Sequence, residues 1–376
     1  MKRILSCLVC CVLLSPAVRA EDVPPTEAGL ATMAFGHGGQ IKMLYDRRQR
    51  PQAVYLRDKV HIVFNAGGET GAVSKAKTRP MAVTYDPQAR EFSEIVTLGP
   101  GSKDHHFGPV IWADEGDYLH VLFGCHRTPG THLISRRPGT IGRDRDDWRP
   151  GPEIAPGISY PTFHRILGGR RVVYYRTEGH TSSWTYRISA DNGQNWVGPS
   201  RDVTDMDLKG RIDWSSYQTT LPSRDGRYLH VAFTSYDDVK THGADPQRFY
   251  NPRYDRLVPN EWKYNLYYVR IDLETHEVVN FEGQSMETPI DIDQADARCR
   301  IWDTEWRGAG VPPTIALDEN GNPAFLHVLS EDMLTEHRYY YVRRTGGAWK
   351  QTPITHSNHQ WNSCHLNQDN DGTLRA

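Results

Sequence analysis

The chain is predicted to be an all-β propeller built of four-stranded antiparallel blades, and three observations lead there. A strand-like run recurs along the sequence, each copy is framed by hairpin signals, and the copies fall at the spacing of blades. Four segments carry a histidine in second place: Val60-His61-Ile62-Val63-Phe64, Leu119-His120-Val121-Leu122-Phe123, Leu229-His230-Val231-Ala232-Phe233 and Leu326-His327-Val328-Leu329. A fifth, Arg171-Val172-Val173-Tyr174-Tyr175, fits without the histidine. Successive runs are 59, about 52 and about 58 residues apart, the length of a four-stranded blade with generous loops.

The flanks of each run supply the other strands. Pro109 to Gly116 and Pro313 to Gly321 place an apolar stretch and an Asp/Asn/Gly turn before two of the runs, the pattern of a hairpin. Alternating segments follow, as in Trp184 to Ile188, Leu266 to Arg270 and Tyr339 to Arg343, and a fourth strand closes each unit. From His230 to His327 the step is 97 residues, so that blade holds an insertion around Asp237 to Glu261. Long insertions on one face are where propellers place function. The chain stops at Ala376 inside a blade, so residues 21–376 are expected to be a single propeller domain, truncated at its C-terminus and seven-bladed when complete.

The first twenty residues read as a secretory signal peptide: Lys2 and Arg3, an apolar run from Ile4 to Leu14, then small residues up to Ala20. The run is too short to span a bilayer, which places the mature protein outside the cytoplasm, secreted or periplasmic, with no membrane partner. Removing three cations takes the net charge from −2 to −5, which excludes a basic nucleic-acid surface. Cys125, Cys299 and Cys364 remain, too few for a disulfide-held scaffold. A monomer is expected.

The repeat sorts the polar residues. His61, His120, His230 and His327 share one blade position and are read as structural. Asp104-His105-His106-Phe107-Gly108-Pro109 and Gly124-Cys125-His126-Arg127 instead flank the first two strands of one blade and recur nowhere else. A hairpin brings its ends together, so His106 and His126 should meet at one rim. In the next blade Tyr175 carries a hydroxyl where Phe64, Phe123 and Phe233 stand elsewhere, with Arg176 beside it and Arg187 on the following strand. A further cluster, His356 to His365, has the residue types of a zinc site: His359, Cys364 and His365, with Cys299 as a fourth ligand from a distant loop.

Ser189-Ala190-Asp191-Asn192-Gly193-Gln194-Asn195-Trp196 resembles the Asp-box of BNR repeats, a structural turn. With the two histidines leading and ending one hairpin and the Tyr-Tyr-Arg blade after it, the chain resembles the ulvan lyases built on seven-bladed BNR propellers. The resemblance covers residues 100–200, and the remainder only as repeat architecture. It implies a secreted polysaccharide lyase acting on an acidic, uronate-containing polymer. Such an enzyme removes the C5 proton of the uronate and expels the O4 substituent, which requires a neutralised carboxylate, a base and an acid. Arg187 has the fork for the carboxylate. His106 or His126 with Tyr175 would move the protons, in an order the sequence leaves open. Arg176 and His105 would bind substrate. No cofactor is required, and the structural metal of related lyases points to zinc in the cysteine and histidine cluster. Two other readings stand beside this one. A sialidase-like glycosidase would show three carboxylate-binding arginines and several Asp-boxes, where this chain has one box. A non-catalytic sugar-binding propeller would lack a converging His, Tyr and Arg.

Overall fold

The computed structural model describes residues 48–67, 77–210, 214–237, 248–251, 253–259, 262–330, 336–361, 366–368 and 374–375. Each recurrent apolar run forms the second strand of a sheet: Lys59–Ala66, Leu119–Phe123, Arg171–Arg176, Tyr228–Asp237 and Pro323–Ser330. Their first strands are Ala53–Leu56, Val110–Ala113, Ile158–Arg165, Trp214–Pro222 and Thr314–Leu317. The third strands are Arg79–Asp86, Thr131–Ser135, Trp184–Ser189, Lys263–Asp272 and His337–Thr345. Within these sheets all neighbouring strands run antiparallel, the architecture of propeller blades.

Alternation along the strands decides how the blades stack. Leu119–Phe123 is buried at every position. Leu119, Val121 and Phe123 pack with Val63 and Ala82 of the blade before, whereas Leu122 packs with Val110, Trp112, Phe163 and Val173 toward the blade after. The same division splits the next blade, where Val173 and Tyr175 face backward and Val172 and Tyr174 face forward to Tyr217, Val231 and Phe233. Strands sandwiched this way need apolar residues on both faces, which is why they read as runs rather than alternating patterns. A fully buried large side chain contributes roughly 1.5–3 kcal/mol, and these interfaces absorb polar guests: His61, His120, His230 and His327 are all buried. His61 meets Thr84 at 2.9 Å and His230 meets the Tyr268 hydroxyl at 2.6 Å.

The third blade departs from the expected four-strand plan. Outside Trp184–Ser189 two isolated bridges join Ile188 to Val197 and Trp184 to Thr204, and Pro199, having no N–H, cannot extend a ladder between them. Its fourth strand is instead His126–Thr128, paired on the inner edge with Ile158–Arg165. The turn between Ser189 and Trp196 is held by Asp191, which accepts from the Asn195 N–H at 2.9 Å, and by the Trp196 indole, which donates to the Gly193 carbonyl at 3.1 Å. The insertion of the fourth blade contains a hairpin, Arg248–Asn251 with Arg256–Pro259. Near the inner strands Arg50 N–H donates to the Pro161 carbonyl at 3.0 Å and its own carbonyl accepts from Phe163 at 2.9 Å, while Pro51 accepts from Ile111 at 2.9 Å. One short segment thereby ties the second and third blades together.

Candidate active site

The site begins at Asp104. Its side chain caps the short 3-10 helix His105–Phe107, accepting from the His106 N–H at 2.9 Å. Gly124 N–H donates to the Phe107 carbonyl at 3.2 Å, closing the hairpin on which the two histidine segments sit. His106 and His126 accordingly meet with ring centroids 4.4 Å apart and planes tilted by 41°, and the His105 ring lies 3.8 Å from that of His106. The two oxygens of Asp104 take one imidazole each, His106 Nδ1 at 2.6 Å and His126 Nδ1 at 2.8 Å.

This arrangement fixes the charges. Burial raises the affinity of Asp104 for a proton, but its hydrogen bonds with both histidines outweigh that and hold the carboxyl well below the usual range. For His106 burial dominates the opposing pull of Asp104, and the nearby Arg48 adds to it, so its pKa is lowered and the ring is neutral. The other ring nitrogen of His126, Nε2, is buried without a hydrogen-bond partner.

A bulge supplies the next group. The register of Ile158–Arg165 shifts between Ser159 and Thr162, and Tyr160 sits there with φ +56°, a conformation rare for an aromatic residue. The kink aims the ring at the histidines, 5.7 Å from His106 and 6.1 Å from His126 between centroids. The Tyr160 hydroxyl is buried, with the Tyr217 side chain as its polar neighbour. Burial and the adjacent Tyr217 raise its pKa, against the opposing charges of Arg48 and Arg176.

Arg176, last in its strand, is fully buried, its guanidinium carbon 4.8 Å from the Tyr160 ring and 5.6 Å from that of Tyr217. All three of its guanidinium nitrogens lack a hydrogen-bond partner. Arg48 approaches the same two rings at 4.7 and 5.5 Å, and the buried Lys263 ammonium lies 4.8 Å from Tyr217 and 4.3 Å from Tyr236. A buried cation with empty donors is costly on its own, so the arrangement suits an anion that arrives with the ligand. Between the first two blades a cavity of about 360 Å³ lies beside the histidine hairpin, lined in part by Phe107, Gly124 and Thr128.

Tyr175 and Arg187 do not join this group. Alternation turns Tyr175 to the face opposite Arg176, into the apolar contact of the second and third blades with Trp196 and Ile158. There its hydroxyl accepts from Arg187 Nε at 3.2 Å, and Arg187 also donates to the Trp196 carbonyl at 3.4 Å. Where convergence with His106 and His126 was expected, these two lie at a blade interface, and it is Tyr160, with Arg176 over its ring, that lies against the histidines. Asp104, Arg48 and Lys263 were also missed.

Of the four expected metal ligands, Cys299 and His359 are described. Cys299 lies in the apolar contact of the third and fourth blades, where burial pushes its thiol up to about 12. His359 is exposed and its Nδ1 accepts from the Trp361 N–H at 3.1 Å, while Cys364 and His365 lie outside the described residues. Among the described residues, Asp104, His105 and His106 bring potential ligand atoms within 4.8 Å of one another, but Asp104 is already committed to two imidazoles.

Comparison with known proteins agrees with the blades. The chain is 20% identical to an ulvan lyase of Nonlabens ulvanivorans over 386 residues, covering 91% of this chain and 74% of that enzyme. It is 23% identical to an ulvan lyase of Alteromonas sp. (strain LOR), covering 73% of this chain and 57% of the relative, so it spans little more than half of that enzyme. Among solved structures, a polysaccharide lyase PL25 ulvan lyase bound to -[GlcA(1-4)Rha3S]- superposes with a TM-score of 0.67 at 20% identity, over 84% of this chain and 73% of the other. Residues 75–357 match the family described as BNR repeat-containing, three quarters of the chain, and the protein therefore belongs to that family.

Proposed function

We propose that the protein is a polysaccharide lyase that cleaves an acidic, uronate-containing polymer of the ulvan type by β-elimination. The observation that carries the reading is Arg176: a fully buried guanidinium with no acceptor, over the ring of Tyr160, which in turn lies against His106 and His126. The uronate carboxylate would lie on Arg176, with Arg48 and Lys263 adding positive field. Neutralised in this way, it lets charge develop on the enolate as the C5–H bond breaks. His126 Nε2 takes the C5 proton, and Asp104 stabilises the resulting imidazolium. The electron pair forms the C4–C5 double bond, the C4–O4 bond breaks, and the Tyr160 hydroxyl, kept protonated by its raised pKa, gives its proton to O4. The reaction balances without a cofactor. His106, neutral and lying against His126, positions the base and offers its remaining nitrogen to the sugar.

The similarity to ulvan lyases at 20–23% identity supports this substrate class. Export through the N-terminal signal belongs to the same proposal, since a polymer of that size is met outside the cell. The test is incubation with a panel of uronate polysaccharides, following ultraviolet absorbance of new unsaturated ends. Absorbance that grows with ulvan and not with neutral glycans is expected. Binding without any new absorbance would leave a sugar-binding propeller as the better description.

A further inference from the structure

A second cavity, of about 270 Å³, opens between the fourth and fifth blades at the other ends of their strands. Along Tyr228–Asp237, His230 lines this cavity, while Tyr236 stands six residues away beside Lys263. At about 3.3 Å per residue the two places are roughly 20 Å apart. This is a different site.

Its chemistry is that of an anionic sugar. Arg270 and Arg344 both line it, and among the described residues no carboxylate does. Arg270 Nε and the Trp349 indole Nε1, two N–H donors, are buried with no acceptor. Trp349 meets Phe281 edge to face at 5.8 Å, and Arg344 covers Phe281 at 5.6 Å, giving a sugar ring an apolar wall under cationic groups. His230 is held to Tyr268 at 2.6 Å, and burial with the charge of Arg270 lowers its pKa to about 4 despite Asp225, so it adds no charge at neutral pH. Gly283 and Gly321 stand at the lining with nothing within 4 Å of a Cβ, which leaves space for a ligand to enter. At about 270 Å³ the space is near the low end of small-molecule pockets and suits one pyranose rather than several.

We propose that this cavity is a second carbohydrate site, remote from the reacting groups, that grips one sulfated or carboxylated sugar of a polymer. It keeps the chain tethered while the catalytic groove works elsewhere on it. It takes from the lyase reading only the choice of polymer to try.

The test is affinity electrophoresis of the full chain in gels containing ulvan, desulfated ulvan or a neutral glycan, comparing wild type with Arg344→Gln and Trp349→Ala. Arg344 is exposed, so its variant tests the site without a folding risk. Wild type should be retarded by ulvan and not by the neutral glycan. Each variant should lose about tenfold in retention, the equivalent of about 1.4 kcal/mol. Turnover of an oligosaccharide too short to span the roughly 20 Å between sites should stay unchanged. Retention lost only on desulfation identifies sulfate as the anion held, and retention kept identifies the carboxylate. Equal retardation of variants and wild type, or no selective retardation of the wild type, overturns the site. Selective retention that the variants lose, in a protein that cleaves nothing, leaves this site standing and removes the lyase reading.

Discussion

Replacing Arg176 with methionine separates function from stability more sharply than any other change. A guanidinium buried without an acceptor carries a desolvation cost that no hydrogen bond in the free protein repays, and swapping buried charge for apolar volume is often stabilising by about 1–4 kcal/mol. Against that stands the loss of the contacts with the Tyr160 and Tyr217 rings, about 0.5–2 kcal/mol each. The two terms offset, so the net change stays within about 3 kcal/mol of zero. Residues 36–376 form one compact unit, and an unfolding entropy of about 2.1 cal/mol/K per residue turns this into a midpoint within about 4 °C of wild type. Turnover, by contrast, should fall by at least roughly 10²–10³, the usual cost of removing one pre-placed charge stabiliser. Differential scanning calorimetry and the ultraviolet assay measure the two halves. A midpoint lowered by more than about 10 °C would refute the reasoning, because it would mean that Arg176 has a structural partner and is not waiting for one.

Tyr160→Phe removes a buried hydroxyl whose polar neighbour is Tyr217, so stability should fall by no more than about 0.5–1.5 kcal/mol while turnover drops roughly 10²–10⁴. Full activity would remove Tyr160 from the proton path. Tyr175→Phe should do the reverse, costing about 0.5–1.5 kcal/mol for the bond with Arg187 and leaving turnover within about threefold; an inactive but well-folded variant would return Tyr175 to the site. Stability should fall as pH drops from 6.5 toward 4. Burial holds His61, His230 and His327 at about 4, so the unfolded chain takes up protons in that window that the native state refuses. Each adds a slope of up to about 1.4 kcal/mol per pH unit. Urea midpoints that stay flat between pH 6.5 and 4.5 would contradict that sum.

The blade pattern was legible because every second strand is squeezed between two neighbours and must be apolar on both faces, a constraint that leaves the same run in five places. The meeting of His106 and His126 was legible for a similar reason, since a hairpin joins its own ends. Tyr175 misled because a comparison of ring positions shows chemistry but not direction. Its neighbour was the better signal: where Arg176 stands after Tyr175, the other blades have Asn65, Gly124 and Thr234 after their phenylalanines, none of them charged. Tyr160 precedes a proline inside a strand, which hints at a broken ladder, but its positive φ and the aim it gives the ring arise only when the third blade docks on the second. Arg48 and Lys263 come from segments more than 100 residues from Arg176 or on another blade, and no local pattern marks them.

Because Tyr175 and Arg176 are consecutive yet serve opposite faces, the strand Arg171–Arg176 behaves like a key cut on both edges. Gain or loss of one residue inside it would exchange the two, driving a cation into the apolar seam and withdrawing it from the rings of Tyr160 and Tyr217. An added residue in a loop, such as the hairpin insertion of the fourth blade, brings no such exchange.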